Sequence, residues 1–258
     1  MWKDYEASYS VALSDDGFLA WREAGARQKA RNIFHICRGI KIKSAIEIGC
    51  GTGAVLWALR SLNFAEEYAC TDVSSAAVHF VRQLCEDFAQ RAVVGSADAL
   101  PFDDNVFDVA ILTHVIEHLD DPLSAVREAS RIARYVVIEV PTEKVLSNMV
   151  RTKVLGRAYA SIEGAGHVQF WSPGTISTFL KRDCGLEILA RHTDLISREV
   201  EFYGKKRFSL AKPFFKEALK TVLPGRLYSQ LLTTHVAFLC RRLDSGQQIA
   251  NSTSTLGK

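Results

Sequence analysis

Three glycines fall within five residues of the stretch AIEIGCGTGA, at Gly49, Gly51 and Gly53, directly after a short apolar run. A strand that ends in glycines and feeds a helix leaves bare backbone N–H groups and the positive end of the helix beside the strand's carboxyl end, where doubly wound sheets take up ligands. Gly49, Gly51 and Ala54 fit a dinucleotide fingerprint, although a tight strand-to-helix turn calls for glycine on steric grounds alone. Acids near successive strand ends add to the pattern. Glu47 lies on the opening strand, Asp72 ends the second in YACTDVS, where a carboxylate can accept from both hydroxyls of a ribose, and Asp98 follows the third in GSADALPF, in place to meet an adenine amino group. Taken singly, each is also a common cap of a helix or turn. Two histidine-bearing stretches, THVIEHL at 113–119 and GAGHVQFWSP at 164–173, bring the side chain that titrates near neutral pH.

The elements that must position these groups follow from periodicity. Between residues 44 and about 142, short β-branched runs alternate with helix-period segments, as in βαβ units around a parallel sheet. Strands are expected at 44–49, 68–72, 91–95, 107–113 and 134–140, with helices at 53–62, 75–89 and 122–133; Asp121 is placed as N-cap and Pro122 at the first helical position. Residues 17–39 read as a helical arm over the sheet, with Trp21, Ala24, Ile33, Phe34 and Cys37 inward. An irregular connection at 143–166 leads to a helix at 172–183, a strand at 186–194 and a last strand at 234–242. The segment 196–233 between those two strands carries eight Lys/Arg against three Asp/Glu. A basic amphipathic segment can lie on an anionic membrane, but Pro213 and Pro224 break it into short pieces, which favours a substrate lid. The tail 244–258 is polar and reads as disordered.

Composition limits the function classes. The chain has 258 residues, 48% of them apolar, and a net charge of only +3, so no global basic field argues for nucleic acid. Its six cysteines include no C-x-x-C pair, which points away from a zinc knuckle or disulfide scaffold and towards a reducing compartment. The start, MWKDYEASYS, lacks a basic-then-apolar leader, and a cytoplasmic location is expected.

Together, E-x-G-x-G-x-G at 47–53, Asp72, ADALPF at 97–102 and FDVAILTHVIEHLDDP at 107–122 resemble the class I S-adenosylmethionine-dependent methyltransferases, nearest in look to the ubiquinone-biosynthesis type and its small-molecule cousins. The resemblance covers about 44–142 and returns faintly at 167–195 and 234–242. It implies an α/β, Rossmann-like sheet of seven strands with helices on both faces and the last strand antiparallel. The expected division is a helical arm at 1–43, a methyltransferase domain at 44–243 and the tail. The resemblance also implies that Gly49, Cys50, Gly51 and Gly53 face the methionine part of S-adenosylmethionine, with Glu47 near its amino group. Asp72 would hold the ribose, Val73 would pack on the adenine, Asp98 and Ala99 would bond its amino edge, and Thr113 and His114 would touch the methionyl portion.

That cofactor brings an activated methyl group, so the protein has to align an acceptor and take its proton. His118 and His167 are the expected catalytic pair, meeting at the carboxyl edge of the sheet. Metal-assisted relatives resemble this layout with E-x-x-E-H and a later histidine; here His114 stands in place of the first acid. The remaining set could ligate a divalent cation, but no residue is assigned to a metal. The expected reaction is O-methylation of a small-molecule hydroxyl on a sugar, phenol or related metabolite. RNA 2′-O-methylation, a noncatalytic cofactor-binding module and a nicotinamide oxidoreductase are the alternatives; no DNA partner is expected, and near-neutral charge weighs against RNA. His35, His79, His192 and His235 read as surface or satisfied core, and Tyr5, Tyr9 and Trp21 as packing or cofactor-covering aromatics.

Overall fold

A computed structural model of the protein describes residues 4–84, 91–142, 166–194, 222 and 234–243. The expected lid at 196–233 (apart from Val222), the connection at 143–165 and the tail at 244–258 lie outside them. The apolar runs form central strands because both faces of each are covered. β1 (Ser44–Ile48), β2 (Glu67–Asp72), β3 (Ala92–Val94), β4 (Phe107–Thr113) and β5 (Ala133–Thr142) run parallel, and β7 (Thr234–Arg242) is inserted antiparallel between β5 and β6 (Leu186–Asp194), in the order β3-β2-β1-β4-β5-β7-β6. This is the Rossmann-like sheet that the resemblance implies.

Alternation along each strand builds two apolar layers. Ile111, Val137, Ala237 and Leu239 pack with Ile33, Leu56 and Leu59 on one face; Leu112, Ile138 and Phe238 pack with Ile132, Trp171 and Ile176 on the other. The first layer is closed by α2 (Asp16–Ile36), α3 (Ala54–Ser61) and α4 (Ser75–Leu84), the second by α5 (Pro122–Ile132) and α6 (Pro173–Thr178). Asp121 caps α5 by accepting from the Leu123 and Ser124 N–H groups, with Pro122 at its start, and Ser172 and Thr175 form a capping box on α6. The helix expected at 172–183 instead ends in a π turn at Phe179–Asp183. Within α2, Ala24, Ile33 and Cys37 are inward, but Phe34 is 39% exposed. A step of one residue from Ile33 rotates it about 100° off the buried stripe, and its ring rests against Phe64. No helix among the described residues is long and apolar enough to cross a membrane.

Ahead of α2 lies a helix that periodicity did not place, α1 (Tyr5–Ala12). Its Glu6 carboxylate accepts from the Ser74 hydroxyl at 2.8 Å, the Ser75 hydroxyl at 2.7 Å and the Ala76 N–H, so α1 is latched onto the N-terminus of α4, where negative charge is favourable. The hydroxyls of Ser75 and Ser74, then the Ala76 N–H, hold the Glu6 carboxyl below the usual carboxylate range. Its folded-state pKa is depressed, so the latch is complete above the ordinary carboxylate pKa and weakens as pH falls through the folded-state value. We expect Glu6→Ala to speed amide hydrogen exchange in residues 5–12 at neutral pH and the wild-type arm to loosen only under acid; equal protection in both proteins would remove the latch.

Candidate active site

A cavity of about 700 Å³ opens at the carboxyl ends of the parallel strands. Its floor is Gly49, Asp72, Val73, Gly95, Thr113 and His114, and its roof is Tyr5, Tyr9, Phe18, Trp21 and Arg22 from α1 and α2. The size falls in the ~300–1,000 Å³ range of small-molecule sites. The floor exists because the turn after β1 is bent by glycines at positive φ: 73° at Gly49 and 54° at Gly51. A Cβ on Gly49 would stand 2.6 Å from Val115 Cγ2, so the glycine admits the turn after β4. At Gly51 a Cβ would meet the Tyr9 hydroxyl and lie 2.9 Å from Arg22 Nη2. The atoms closest over that glycine therefore belong to the N-terminal arm.

Asp72 joins the floor together. Its Oδ2 accepts from the Gly51 N–H at 2.8 Å and its Oδ1 from the Ser74 N–H at 2.9 Å. Burial raises its pKa against the pull of those two N–H groups and of Arg22. A carboxylate has about four lone-pair sites, so Asp72 keeps acceptor capacity towards the cavity that it lines. Glu47 stands behind the turn: it is 2% exposed, and it accepts from the Leu56 N–H at 3.2 Å and the Thr113 hydroxyl at 3.4 Å. Burial pushes its pKa up to about 7, with Lys29 and Arg22 opposing. Cys50 is buried beside Cys70, whose hydrogen bond and the burial raise its thiol pKa; Gly53 faces Val81 of α4. Of the adenine-edge residues, Val73 lines the cavity, while Asp98 and Ala99 are exposed and outside its lining. Asp98 accepts from the Ser96 hydroxyl, and Ser96 and Ala97 are the lining residues there.

His118 and His167 meet, with ring centroids 4.7 Å apart, and both line the cavity. The convergence has a backbone cause: the Val168 and Gln169 N–H groups donate to the Glu117 carbonyl at 2.9 and 3.0 Å, docking the 166–171 segment on the short 3₁₀ turn Ile116–His118. His118 Nδ1 lies 3.3 Å from the Gly166 carbonyl. That oxygen can only accept, so Nδ1 carries the hydrogen and Nε2 the lone pair. Burial, then His167, lowers the His118 pKa to about 4, so the ring is neutral at physiological pH. Glu117, buried at 0% exposure, joins His118 and His167 in a group whose ligand atoms lie within 4.8 Å of one another, a donor set that fits a divalent cation.

The structure adds residues that the motifs did not reveal. Arg22 follows Phe18 by one helical turn on the face of α2 towards the cavity, a spacing visible in the sequence only once α2 is known to be the roof. His235 is not isolated: its ring lies 4.4 Å from His114, and both approach the buried Glu139 of β5. Glu139 carried a signal, being the only charge in the run YVVIEVP. His35 and His192 pack on each other at 5.2 Å.

The profile of a family described as a methyltransferase domain matches residues 46–135. The malonyl-[acyl-carrier protein] O-methyltransferase of Hahella chejuensis is 23% identical over 219 residues, covering 80% of this chain and 75% of the relative. Among solved structures, a complex between the Haloferax volcanii Trm112 methyltransferase activator and a protein assigned as a methyltransferase aligns with TM-score 0.59 and 16% identity over 93% of this chain and 98% of that one. A SAM-dependent methyltransferase of Thermotoga maritima aligns with TM-score 0.58 and 18% identity over 93% and 99%.

Asp72→Ala is expected to abolish calorimetric binding of S-adenosylmethionine and of its demethylated product, and also to lower the Tm because the Gly51 and Ser74 N–H groups lose their acceptor. Gly51→Val should do the same by displacing Tyr9 and Arg22. Unchanged affinity in both variants would disconnect this floor from the cofactor.

Proposed function

The chain is a class I S-adenosylmethionine-dependent methyltransferase, and from that premise we propose that it methylates a hydroxyl oxygen of a small-molecule acceptor held between the cofactor floor and the His118–His167 pair. The observation that carries the proposal is the 3.3 Å contact between His118 Nδ1 and the Gly166 carbonyl, an acceptor that favours the tautomer protonated on Nδ1. In that tautomer the Nδ1–H is aimed at Gly166 and the Nε2 lone pair is left for a proton, on a ring that lines the cavity.

S-adenosylmethionine, when bound, supplies a methyl group on a positively charged sulfur and leaves as a neutral thioether. The protein's residues do the rest. Asp72 holds the ribose through its remaining lone pairs, and the glycine turn offers bare backbone to the methionyl portion. Arg22, on the roof, offers a guanidinium to a carboxylate in that portion. Tyr5, Phe18 and Trp21 exclude water from the acceptor. As the acceptor oxygen bonds to the methyl carbon, its proton passes to His118 Nε2, and His167 fixes the ring that receives it. Glu117, within 4.8 Å, favours the imidazolium so formed. A divalent cation held by Glu117, His118 and His167 would instead supply Lewis acidity to the same oxygen. The Hahella relative is by name an O-methyltransferase, which agrees with an oxygen acceptor.

His118→Ala and His167→Ala should each lower kcat by roughly 10²-fold or more with calorimetric cofactor affinity nearly intact. Full turnover in both variants would return the pair to a packing role. Activity that survives a chelator assigns the proton transfer to the histidines alone, and activity lost to the chelator and restored by Mg²⁺ or Mn²⁺ assigns the cation. A best acceptor methylated on nitrogen or carbon would overturn the oxygen assignment.

A further inference from the structure

Beneath the cavity floor, on the face of the sheet covered by α2, lies a second group that the methyl transfer does not use. Glu139 is carried to that face by the alternation of β5, since Val137 packs there too, and it is 0% exposed. The antiparallel insertion of β7 sets His235 opposite Pro141, one pleat away from Glu139 on the same face. His114 comes from the end of β4. Its Nε2 lies 3.7 Å from Glu139 Oε1, and His235 Nδ1 lies 3.8 Å from the same oxygen. These contacts are too long for hydrogen bonds. Both carboxylate oxygens of Glu139 and the Nε2 of His114 are buried without a partner at hydrogen-bonding geometry; the Asn32 side chain is near enough to Glu139 to oppose the rise that burial causes in its pKa, but not placed to close a well-formed bond. One ligand atom from each residue falls in a group spanning no more than 4.8 Å.

We propose that His114, Glu139 and His235 form a binding site for a divalent transition-metal ion, distinct from the Glu117–His118–His167 group. Bonds of ~2.0–2.2 Å to a tetrahedral ion set its ligand atoms about 3.4 Å apart, a few tenths of an ångström less than the 3.7 and 3.8 Å found. A shift of a few tenths of an ångström closes those two edges, and the third, between the two imidazole nitrogens, spans no more than 4.8 Å; without an ion the carboxylate faces two imidazoles with neither contact at hydrogen-bond length.

Three further observations agree. His114 Nδ1 stands 3.3 Å from Glu117 Oε1, so the ring nitrogen that does not face Glu139 has a carboxylate to hold it, as metal-bound histidines commonly do. His114 has φ of 57°, a left-handed conformation that side chains other than glycine adopt at some cost and that clusters at functional sites. His114 also lines the cavity, which gives an ion a way in. The donor set selects the ion: two imidazoles and one carboxylate suit zinc, iron, cobalt or nickel, whereas Mg²⁺ and Ca²⁺ prefer oxygen alone. Lys29 of α2 is the competing cation for Glu139, and an entering ion takes over its part in balancing that carboxylate. Three protein ligands leave a coordination position for water or another small ligand.

The test uses the full chain stripped with a chelator and titrated with Zn²⁺ against a chromophoric competitor, with Co²⁺ absorption as a second readout. Wild-type protein should bind an ion that weakens by on the order of 100-fold or more in Glu139→Gln and His235→Ala and persists in His118→Ala and His167→Ala. Zn²⁺ should raise the Tm of wild type and not of the first two variants; Glu139→Gln preserves shape, and its melt in the absence of metal checks that it is folded. Undiminished binding in both Glu139→Gln and His235→Ala, or loss confined to the His118 and His167 variants, places the ion in the neighbouring group and overturns the proposal. Absence of Zn²⁺ or Co²⁺ binding to wild type also overturns it, leaving Lys29 as the counter-ion of Glu139.

Discussion

One carboxylate ties the working end of this protein together. Asp72 reaches from the end of β2 to the backbone of the β1 turn at Gly51 and to the start of α4 at Ser74. Charge-assisted bonds of this kind are roughly twice as strong as neutral ones. The position of every neighbour follows. Gly51 is held directly beneath the arm's Tyr9 and Arg22, and Ser74 is presented to Glu6 at the tip of the same arm. Floor and roof of the cavity are thus two sides of a single hydrogen-bonded network, and the roof cannot shift without the floor feeling it.

The second governing feature is buried charge. Glu47, Glu117 and Glu139 are each at most 2% exposed on one side of the sheet, and burial depresses the pKa of His114, His118 and His235 so that these rings do not serve as counter-cations near neutral pH. Among the described residues, the cations that act on Glu47 are Lys29 and Arg22 of α2. Helix α2 is therefore an electrostatic cover as much as an apolar one, and a positively charged cofactor or cation entering the cavity meets a field already prepared for it.

Much of this was legible in the sequence because it is encoded locally. The central strands announce themselves by short runs rich in apolar and β-branched residues, and the turn after β1 by its glycines. Asp121 and Pro122 mark the start of α5 by their own chemistry. The meeting of His118 and His167 was also accessible, since parallel strands deliver their exits to one edge. What escaped was non-local. Helix α1 has eight residues and no strong periodicity; its one local signal is the Asp4 N-cap, which accepts from the Ala7 N–H, while the contacts that hold it, Glu6 on α4 and the burial of Tyr9, are made with distant residues. The His114–Glu139–His235 group depends on the register of β5 against β7, and one residue of slip would send His235 to the opposite face. Asp98, in a motif that reads plainly, lies outside the cavity lining, which runs through Ser96 and Ala97 instead.

The insertion of β7 between β5 and β6 has a consequence for how the chain is made. β6 hydrogen-bonds to β7 and to no other strand in the sheet order, yet it precedes β7 in the sequence. A chain emerging from the ribosome therefore releases β6 before the strand that joins it to the sheet, and β5 meanwhile presents an unpaired edge. Among the described strands, those that precede residues 234–242 can pair only as the five-stranded parallel half, with β6 left without a partner. Completion comes as a wedge driven between two waiting neighbours, and that step also delivers His235 to its place beside Glu139.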